Sequence, residues 1–433
     1  MTPSDPLYSG SGLRISDPKS GIVQLMDDLG QAMTIHPDAI MMGGGNPARI
    51  PAMDSLWRSG CQNLLDAHEG QEFGALLANY DPPAGNPYFR SVLAAYLRKT
   101  CGWEITAENI AVTLGGQTAF FYLLNLFGGE ANPGFRRILL PQMPEYIGYA
   151  NQGLHEDLFL SIPGKVKETG SHRFKYLLDR ERIQQAADQH LLGAICVSRP
   201  CNPSSNVLQR EEIDWLGDLA KAKDIPFLID SAYGVPFPGV IYEDRIPPRW
   251  TPQTIITLSL SKLGLPGTRT GMVIASEEIV ERIAAMTAIT GLANTNLGQA
   301  LVRPLLEDGS LAQHCEQSIV PFYRQRCQET VDLLDESLKG LPYRLHEPEG
   351  AFFLWLRFEG LPITTRELYD RLKRQGLLVV PGEPFFFGAN HLDPSSVKHG
   401  QECIRLSYTQ SPERIAAGIQ ILNKTVRPLF QSN

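Results

Sequence analysis

A lysine in a serine- and glycine-rich segment and an aspartate at the end of an apolar run carry the clearest chemical signal in this sequence. The run PFLID ends at Asp230, and the SAYG that follows adds the phenol of Tyr233. The next run, TIITLS, leads into SLSKLGLPGTRTG, which contains Lys262 and Arg269. Alone, such residues are usually turn formers or solvated surface charges. Two successive strands that deliver a carboxylate, an amine and a guanidinium to one edge predict a reactive site.

These groups match what pyridoxal phosphate requires. That cofactor needs a lysine amine to form an imine, a carboxylate to keep its pyridine nitrogen protonated, and donors for its phosphate. Lys262, Asp230 and Arg269 supply one candidate for each requirement. We expect burial and the nearby charge of Arg269 to lower the pKa of Lys262, because the neutral amine is the nucleophile.

Two further segments bring polar groups to the ends of predicted strands. In IAVTLGGQTAFF, Gly115, Gly116 and Gln117 lie between a strand and a helix, where backbone amides and the positive helix end can hold phosphate. In VSRPCNPSSN, Asn202 lies in a turn stiffened by prolines, and its amide can donate to the cofactor's phenolate oxygen. Each signal alone is weak, since turns of both kinds commonly bind nothing.

The ordered set of motifs resembles one enzyme family. G-G-Q, P-x-N-P-S, D-x-A-Y, S-x-S-K-x-x-L-P-G-x-R and I-R-L follow one another as in the class I and II aminotransferases of pyridoxal-phosphate fold type I. More narrowly, MGGGNPARIP, PEYIGYA, DSAYGVPFPG and LPITTRELYDRLKRQG resemble members that act on small aliphatic amino acids. The resemblance implies ping-pong transamination, through imines, between valine, alanine or 2-aminobutyrate and pyruvate or 3-methyl-2-oxobutanoate.

The resemblance also implies a role for each matching residue. Lys262 would form the imine, Asp230 would hold the pyridine nitrogen, and Tyr233 with Asn202 would hold the phenolate oxygen. Arg405, in CIRLSY, would take the substrate α-carboxylate as a bidentate fork. The phosphate would be bound by Gly115, Gly116, Gln117, Ser259, Ser261 and Arg269.

Two more matches extend the implied site. Tyr80, in NYDPPAGNPYFR, matches the family tyrosine that reaches the phosphate of the neighbouring subunit. This match implies a homodimer with shared active sites. The segment around Gly45, in MGGGNP, would approach the substrate carboxylate through its backbone.

The sequence departs from the family pattern at three points. Many relatives have an aromatic residue that stacks on the cofactor ring where this chain has Met143, and we predict Tyr146 as the substitute. Ser205 stands where relatives often have glycine, so we expect that turn to differ in shape. No second arginine is assignable to a substrate side-chain carboxylate, which argues against aspartate or glutamate as the main substrate.

The elements that must position these residues form the pattern of a mostly parallel sheet covered by helices. Short apolar runs alternate with segments of helical periodicity from about residue 108, and 208–224 is predicted to be a crossover helix. We expect the strands to end at one edge, where ligands gather. Strands are predicted at 110–113, 136–141, 193–198, 226–230, 254–259 and 271–276.

The length of 433 residues predicts two domains, because single cores stop growing at roughly 250–300 residues. We predict an α/β large domain at 55–310 with a seven-stranded type of sheet, and a smaller α+β domain at 311–433. Residues 1–54 are predicted to form an N-terminal arm and part of the small domain. The arm's first twenty residues are expected to be mobile, and the helix that follows residue 310 should kink or restart at Pro321.

Composition excludes several classes of protein. The formal charge of −8 disfavours nucleic acid, and no helix-turn-helix segment supports a cofactor-binding regulator of DNA. The seven scattered cysteines have no metal-ligand spacing, so no metal site is predicted, and reduced thiols indicate the cytoplasm. No apolar run is long enough to predict a membrane span. Elimination or ring-forming lyase chemistry with the same cofactor stays open as an alternative.

Overall fold

The structure is a computed structural model that describes residues 7–35, 38–388 and 394–431. The α-helices are α1 (Gly10–Ile15), α2 (Gly21–Ile35), α3 (Pro51–Asp66), α4 (Gln71–Ala78), α5 (Pro87–Cys101), α6 (Gly116–Phe127), α7 (Arg180–Gln189), α8 (Arg210–Ala222), α9 (Glu277–Gly291), α10 (Leu297–Glu307), α11 (Ser310–His314), α12 (Val320–Ser337), α13 (Thr365–Arg374), α14 (Pro394–Gln401) and α15 (Pro412–Gln431). The strands are β1 (Ile40–Met41), β2 (Ile110–Thr113), β3 (Gly129–Glu130), β4 (Phe135–Met143), β5 (Phe159–Pro163), β6 (Lys165–Gly170), β7 (Arg173–Leu177), β8 (Leu192–Ser198), β9 (Phe227–Asp230), β10 (Thr254–Ser259), β11 (Gly271–Ile274), β12 (Tyr343–His346), β13 (Phe353–Phe358), β14 (Leu377–Leu378), β15 (Val380–Pro381) and β16 (Cys403–Ser407).

The larger sheet has the strand order β2, β11, β10, β9, β8, β4, and both β5 and the short β3 pair with β4. Strands β10, β9, β8, β4 and β5 are parallel neighbours. Residues of β8 and β10 are buried along their whole length, as expected for strands covered on both faces. The predicted α/β sheet, mostly parallel and flanked by helices, is confirmed.

Strand β11 corrects one part of the sequence prediction. We expected 271–276 to end at the same edge as the other strands, but β11 runs antiparallel to both β10 and β2. It therefore starts at the edge where β10 ends, with Gly271 paired to Ser259 and to Thr113. This direction brings Arg269, two residues before β11, to the same edge as the carboxyl ends of the parallel strands.

Helix α8 is the predicted crossover between two parallel strands. Its first turn is closed by a capping box, in which Gln209 and Glu212 each accept from the other's backbone. Ile213, Leu216 and Leu219 lie on its buried face. Burial of this stripe against the sheet aligns β8 with β9, so that Ser198 lies beside Asp230.

The second sheet has the strand order β15, β16, β13, β12, β7, β6. The hairpin formed by β6 and β7 lies within the 55–310 range assigned to the large domain, yet β7 pairs with β12 of the C-terminal segment. Strand β1 of the N-terminal segment pairs with β14. The domain limits at residues 54 and 310 stay a prediction.

The helical connection after residue 310 is interrupted where the sequence predicts it. Helix α11 passes into a π-helical turn, Cys315–Ile319, and α12 then begins at Val320 with Pro321 in its first turn. The π-helical turn just before Pro321 widens the helix there, which accommodates a proline ring that has no backbone donor.

The described part of the N-terminal segment contains helices and contacts the rest of the chain, and the mobility of its first twenty residues stays a prediction. Helix α1 is capped by Ser9, and the Nε of Arg14 donates to the Gly153 carbonyl at 2.7 Å. Gly21 starts α2 so close to Ile147 and Pro384 that a Cβ there would lie 3.0 and 3.2 Å from their side chains. Residues 1–6 of the arm lie outside the described residues. Within the described chain, no helix combines the length and the apolar character that crossing a membrane needs.

Candidate active site

The carboxyl edge of the larger sheet encloses a cavity of about 150 Å³. Phe120, Ser198 and Ala232 also line it, although the sequence analysis did not single them out. The predicted residues that line the cavity are Gly116, Gln117, Tyr146, Asn202, Asp230, Tyr233, Ser259, Ser261, Lys262 and Arg269. The fold thus brings together residues that are as much as 153 positions apart, from Gly116 to Arg269 (269 − 116 = 153).

Lys262 presents its amine to this cavity from a short 3₁₀ turn that follows β10. Its Nζ donates to the Gly45 carbonyl at 2.8 Å and lies over the rings of Tyr233 and Phe352, at 5.1 and 5.4 Å from their centroids. Burial among these groups, followed by the charge of Arg405, lowers the pKa of Lys262 to about 8. A larger fraction of this amine is therefore neutral and nucleophilic at neutral pH than of a solvated lysine.

Asp230 lies at the end of β9 and accepts three hydrogen bonds. Tyr149 Oη donates to its Oδ2 at 2.6 Å, while the Ala232 amide and Thr257 Oγ1 donate to its Oδ1 at 2.9 and 3.4 Å. Burial raises the pKa of the Asp230 carboxyl, and these donors act in the opposite direction. The carboxylate is thus oriented by donors on both oxygens.

Tyr149 is a site residue that the sequence analysis missed. It lies in the 3₁₀ turn Ile147–Tyr149, directly after Tyr146, and the two rings pack edge to face at 5.2 Å. A signal was present, since residues three apart face the same side of a 3₁₀ turn. Tyr149 itself does not line the cavity and acts on it through its hydrogen bond to Asp230.

Arg269 and the turn before α6 form a cradle with room for an anion. Gly115 has φ +83° and caps α6 without any side-chain hydrogen bond, so the first amides of α6 have no side-chain acceptor. A Cβ at Gly115 would overlap the terminal nitrogen of Arg269 and lie 2.9 Å from its Cζ. The guanidinium is exposed and, among the described residues, makes only long contacts, at 3.3 Å, to the Leu114 and Pro266 carbonyls. Positive charge and unpaired amides at a helix N-terminus are suited to a phosphate.

The two predicted serines lie beside this cradle, at the end of β10. Ser259 and Ser261 are both buried, and Ser259 Oγ accepts from the Ser261 amide at 3.2 Å. Gln117 donates its side-chain amide to the Gly148 carbonyl at 2.9 Å. The Gln117 side chain therefore forms part of the cavity wall, whereas its backbone amide lies in the first turn of α6.

Tyr146 occupies the wall where we predicted a substitute for the stacking aromatic. Its hydroxyl donates to Gln117 Oε1 at 3.3 Å, and Gly148 leaves space for its ring. Met143 is fully buried at the end of β4 and does not line this cavity. Only Tyr146 of the two can contact a ring bound there, and its stacking role stays a prediction.

Arg405 approaches the cavity from β16 of the second sheet. It is 2% exposed; Nη1 donates to Asn202 Oδ1 at 2.7 Å and Nη2 donates to the Gly43 carbonyl at 2.7 Å. Its Nε has no partner in the described chain. Burial lowers the pKa of Arg405 to about 10, so the guanidinium keeps its charge at neutral pH. A buried cation with an unpaired donor is suited to an incoming carboxylate.

The Gly43–Gly45 segment links Lys262 to Arg405. The Gly45 carbonyl accepts from Lys262, and the Gly43 carbonyl accepts from Arg405. Met42 holds the segment in place, because its amide donates to Leu378 at 2.9 Å and its carbonyl accepts from Ser407 at 2.6 Å. The predicted approach of Gly45 to the substrate side of the site is consistent with this position and stays a prediction.

Two other predicted positions lie apart from the cavity. Tyr80 is 81% exposed and does not line the cavity of its own chain. Ser205 adopts φ +63°, a left-handed conformation that favours glycine, and its Oγ donates to the Phe353 carbonyl at 2.5 Å. The turn expected to change shape is therefore left-handed despite the serine, and its hydroxyl ties it to β13.

The donor set fits the cofactor that the sequence predicts. A partly neutral lysine amine, an oriented carboxylate and an anion cradle lie around one cavity, and each accounts for a different part of pyridoxal phosphate. Comparison with known proteins points the same way, since a family model described as aminotransferase class I and II matches residues 53–422. The chain belongs to this aminotransferase family.

Among curated relatives, the aminotransferase is 43% identical over 408 residues to valine–pyruvate aminotransferase of Escherichia coli (strain K12). The match covers 94% of this chain and 95% of that protein. It is also 27% identical over 351 residues to aspartate/prephenate aminotransferase of Thermus thermophilus, covering 79% of this chain and 81% of that protein.

Solved structures give the same fold for this aminotransferase. A putative amino-acid aminotransferase from Psychrobacter arcticum 273-4 superposes with a TM-score of 0.94 at 40% identity, covering 98% of this chain and 99% of that chain. Valine–pyruvate aminotransferase from Salmonella typhimurium LT2 superposes with a TM-score of 0.84 at 41% identity, covering 95% and 100% of the two chains. The predicted fold type I architecture and aminotransferase activity are thereby confirmed.

Proposed function

We propose that this aminotransferase uses pyridoxal 5'-phosphate to exchange amino groups between a small aliphatic L-amino acid and a 2-oxo acid. Valine, alanine and 2-aminobutyrate are the donors, and pyruvate and 3-methyl-2-oxobutanoate are the acceptors. One observation carries the proposal: the Lys262 amine, whose pKa is lowered to about 8, lies in one cavity with Asp230 and Arg269. The similarity to two valine–pyruvate aminotransferases supports the choice of substrates.

When bound, pyridoxal phosphate supplies an electron sink for the bond that breaks at the substrate α-carbon. Asp230 would hold a proton on the cofactor's ring nitrogen, and Tyr149 fixes the orientation of that carboxylate. Tyr233 and Asn202 would donate to the phenolate oxygen. Arg269 and the first amides of α6 would hold the phosphate.

Lys262 both anchors the cofactor and moves a proton. Its neutral amine would be the group that holds the cofactor in the absence of substrate. With substrate bound, the same amine would be the base that takes the proton from the substrate α-carbon and holds it at Nζ. The lowered pKa suits both roles, because a base near neutrality exchanges protons in either direction.

Arg405 orients the substrate through its α-carboxylate. The guanidinium can donate two parallel hydrogen bonds to a carboxylate, and its Nε has no hydrogen-bond partner within the described residues. Carboxylate binding would replace the contacts to Asn202 and Gly43. Asn202 would then be free to turn its amide to the cofactor.

An aromatic and apolar surround suits a short aliphatic side chain. The Arg405 guanidinium lies over the Phe353 ring at 4.3 Å and near the Phe385 ring at 5.4 Å. Within the described residues, Lys262 and Arg269 are the only lysine or arginine that line the cavity, and both have roles toward the cofactor. Dicarboxylic amino acids would thus lack a cation for their second carboxylate.

Exposed apolar side chains support the homodimer in which Tyr80 reaches the partner's site. Leu77 is 74% exposed, and Ile289 is 84% exposed. Residues 76–83 lie beside the segment that follows α9. Asn294 donates to the Pro83 and Val112 carbonyls, and Asn296 donates to the Leu76 carbonyl. Large apolar side chains this exposed favour burial against a second copy.

A cytoplasmic location completes the proposal. All seven cysteines are free thiols, and five of them are buried. Unpaired thiols persist where the environment is reducing.

The test is covalent trapping followed by a substrate panel. After incubation with pyridoxal phosphate and borohydride, the peptide containing Lys262 should gain the reduced cofactor, and Lys262→Ala should gain none. Lys175→Ala is the matched control, because Lys175 is a largely buried lysine that pairs with Glu349 outside the cavity. An imine that persists in Lys262→Ala would overturn the assignment of the lysine.

The panel pairs single amino acids with pyruvate. Alanine should appear from valine and pyruvate in a ping-pong pattern without release of ammonia. Ammonia from a single substrate would instead indicate elimination chemistry and overturn transamination.

A further inference from the structure

Glu145 is a buried carboxyl beneath the candidate active site, and no role has been given to it above. It is 3% exposed and lies between the end of β4 and the turn that carries Tyr146. Its Oε1 accepts from the Tyr146 amide at 2.8 Å, from Ser198 Oγ and from Cys201 Sγ at 3.8 Å. Its Oε2 accepts from the Ser198 amide at 3.1 Å. One carboxyl therefore joins the loop after β4 to the end of β8.

A carboxyl is the side-chain group of this length that satisfies both backbone donors. The Tyr146 and Ser198 amides can only donate, and each points at a different oxygen of Glu145. A glutamine has one oxygen and one NH₂ group, so one of the two amides would face another donor. Leaving a buried donor unpaired destabilises that geometry.

The absence of a cationic partner argues against a purely stabilising ion pair. No lysine, arginine or histidine of the described chain forms an ion pair with Glu145, although burying a lone carboxyl is costly. Burial raises the pKa of Glu145 to about 7, and the nearby charge of Asp230 adds to the rise. Tyr149, Cys196 and Cys201 are the other titratable groups coupled to it. The presence of a buried Glu145 carboxyl next to the cavity, despite the energetic cost of its burial, is better explained by the geometry that it imposes on its neighbours.

The residues that Glu145 joins are those that shape the cofactor's ring site. Tyr146 and Ser198 both line the cavity, and Ser198 lies directly beside Asp230 in the sheet. Cys201 precedes Asn202, the proposed donor to the phenolate oxygen. In contrast, the phosphate cradle is built from Arg269 and α6, neither of which contacts Glu145.

We propose that Glu145 is a positioning residue that sets the distance between the Tyr146 ring and the β8 end, and so fixes the slot for the cofactor's ring. This inference rests on the proposed function, because it assigns Glu145 a part in binding pyridoxal phosphate. It distinguishes the two halves of the cofactor site: Glu145 governs the ring half and not the phosphate half.

The experiment compares Glu145→Gln with the wild type in two binding titrations. Pyridoxamine 5'-phosphate, followed by protein fluorescence, reports on ring and phosphate together without requiring attachment to Lys262. Inorganic phosphate, titrated in competition, reports on the phosphate half alone. Glu145→Gln should weaken pyridoxamine 5'-phosphate about tenfold, the effect of one lost buried hydrogen bond, and leave phosphate affinity within about twofold.

Glu402→Gln is the matched control. Glu402 is also 3% exposed and accepts from a backbone amide, that of Gly360 at 3.1 Å, but it lies by Arg357 on the second sheet. Glu402→Gln should lower the stability of the protein without changing its affinity for pyridoxamine 5'-phosphate or for inorganic phosphate. The inference is overturned if Glu145→Gln leaves both affinities unchanged or weakens both equally.

If Glu145→Gln fails to fold, Ser198→Ala decides. It removes one contact to the carboxyl and keeps the Ser198 amide, so pyridoxamine 5'-phosphate should weaken by about threefold while phosphate binding stays unchanged. Unchanged affinity for both would overturn the inference. Failure of the wild-type protein itself to bind pyridoxamine 5'-phosphate would instead reject the proposed function.

Discussion

Removal of charged groups from water sets the chemistry of single residues in this site. Burial is the largest cause of the pKa shifts of Lys262, Asp230 and Arg405. For Lys262 the shift creates a reactive amine, whereas Arg405 remains charged because its ordinary pKa is so high. The same physical effect therefore yields a base at one position and a fixed cation at the other.

The lowered pKa of Lys262 predicts how cofactor capture depends on pH. Below about pH 8 the amine is mostly protonated and unreactive, so the rate of attachment should rise with pH and level off above that value. Rapid-mixing absorbance with pyridoxal phosphate measures this rate, and a small lysine derivative in the same buffers controls for titration of the cofactor. A midpoint near 10.5, the ordinary value for lysine, would contradict the role of burial.

Arg405→Leu should impair substrate binding rather than the cofactor. Loss of the carboxylate fork should raise KM for amino and oxo acids alike by about a hundredfold, the effect of a lost charge-assisted pair. Affinity for pyridoxamine 5'-phosphate should stay within about twofold, because Arg405 lies on the substrate side. Steady-state kinetics with valine and with pyruvate measure both constants, and an unchanged KM would remove Arg405 from the carboxylate site.

At the scale of elements, the direction of one strand and the turn before one helix create the anion cradle. The antiparallel β11 allows Arg269 to approach the edge from the start of a strand, while α6 points its N-terminus at the same place. Gly271 permits this approach, since a Cβ there would lie 2.6 Å from the Gly115 carbonyl carbon. Gly115 and Gly271 therefore allow the N-terminus of α6 and the Arg269 guanidinium to lie close together.

Gly115→Ala should weaken phosphate binding by displacing Arg269. Its φ of +83° with ψ of 170° is a backbone conformation essentially restricted to glycine, which costs an alanine about 1–3 kcal/mol, and the new Cβ would overlap the guanidinium. Gly340→Ala is a matched control, because Gly340 has φ +81° with no atom within 4 Å of a new Cβ. Thermal unfolding should show a loss of stability for both, whereas only Gly115→Ala should bind inorganic phosphate about tenfold more weakly. Equal phosphate affinity in the two variants would contradict the cradle.

At the scale of the whole molecule, the site depends on contacts between distant parts of the chain. The N-terminal segment contributes Gly43 and Gly45, the large sheet contributes Lys262, and the second sheet contributes Arg405. Pairing of β1 with β14 holds the first and last of these parts together. Relative movement of the two sheets would therefore change the distance from Arg405 to the cofactor.

A shared site in a homodimer predicts that two defective chains can complement each other. Tyr80→Phe alone should weaken pyridoxal phosphate about tenfold, the effect of one lost hydrogen bond to a charged group. In a heterodimer with Lys262→Ala, the intact Lys262 should face the intact Tyr80 of its partner, which restores wild-type affinity at that site. Co-expression with two different tags isolates the heterodimer, and affinity that stays at the Tyr80→Phe value would reject shared sites.

Local patterns in the sequence predicted most strands of the larger sheet and most residues of the candidate site. Five of the six predicted strands end at the expected edge, and ten of the predicted site residues line one cavity. Tyr149 was missed although its spacing from Tyr146 was a signal, whereas Glu145 was missed because a lone glutamate shows no sign in sequence of the partners that burial will give it. The β6–β7 hairpin was missed because its exposed, charged β6 lacks an apolar pattern.

By itself, the amino-acid sequence determined the secondary structure of the sheet, the order of its motifs and the chemical groups available. Those features follow from local periodicity and turn chemistry, which act within a few residues. The tertiary structure decided the antiparallel direction of β11, the hydrogen bond from Tyr149 to Asp230 and the meeting of Arg405 with Asn202. These depend on packing between segments as many as 203 residues apart, where burial and hydrogen-bond satisfaction select one arrangement.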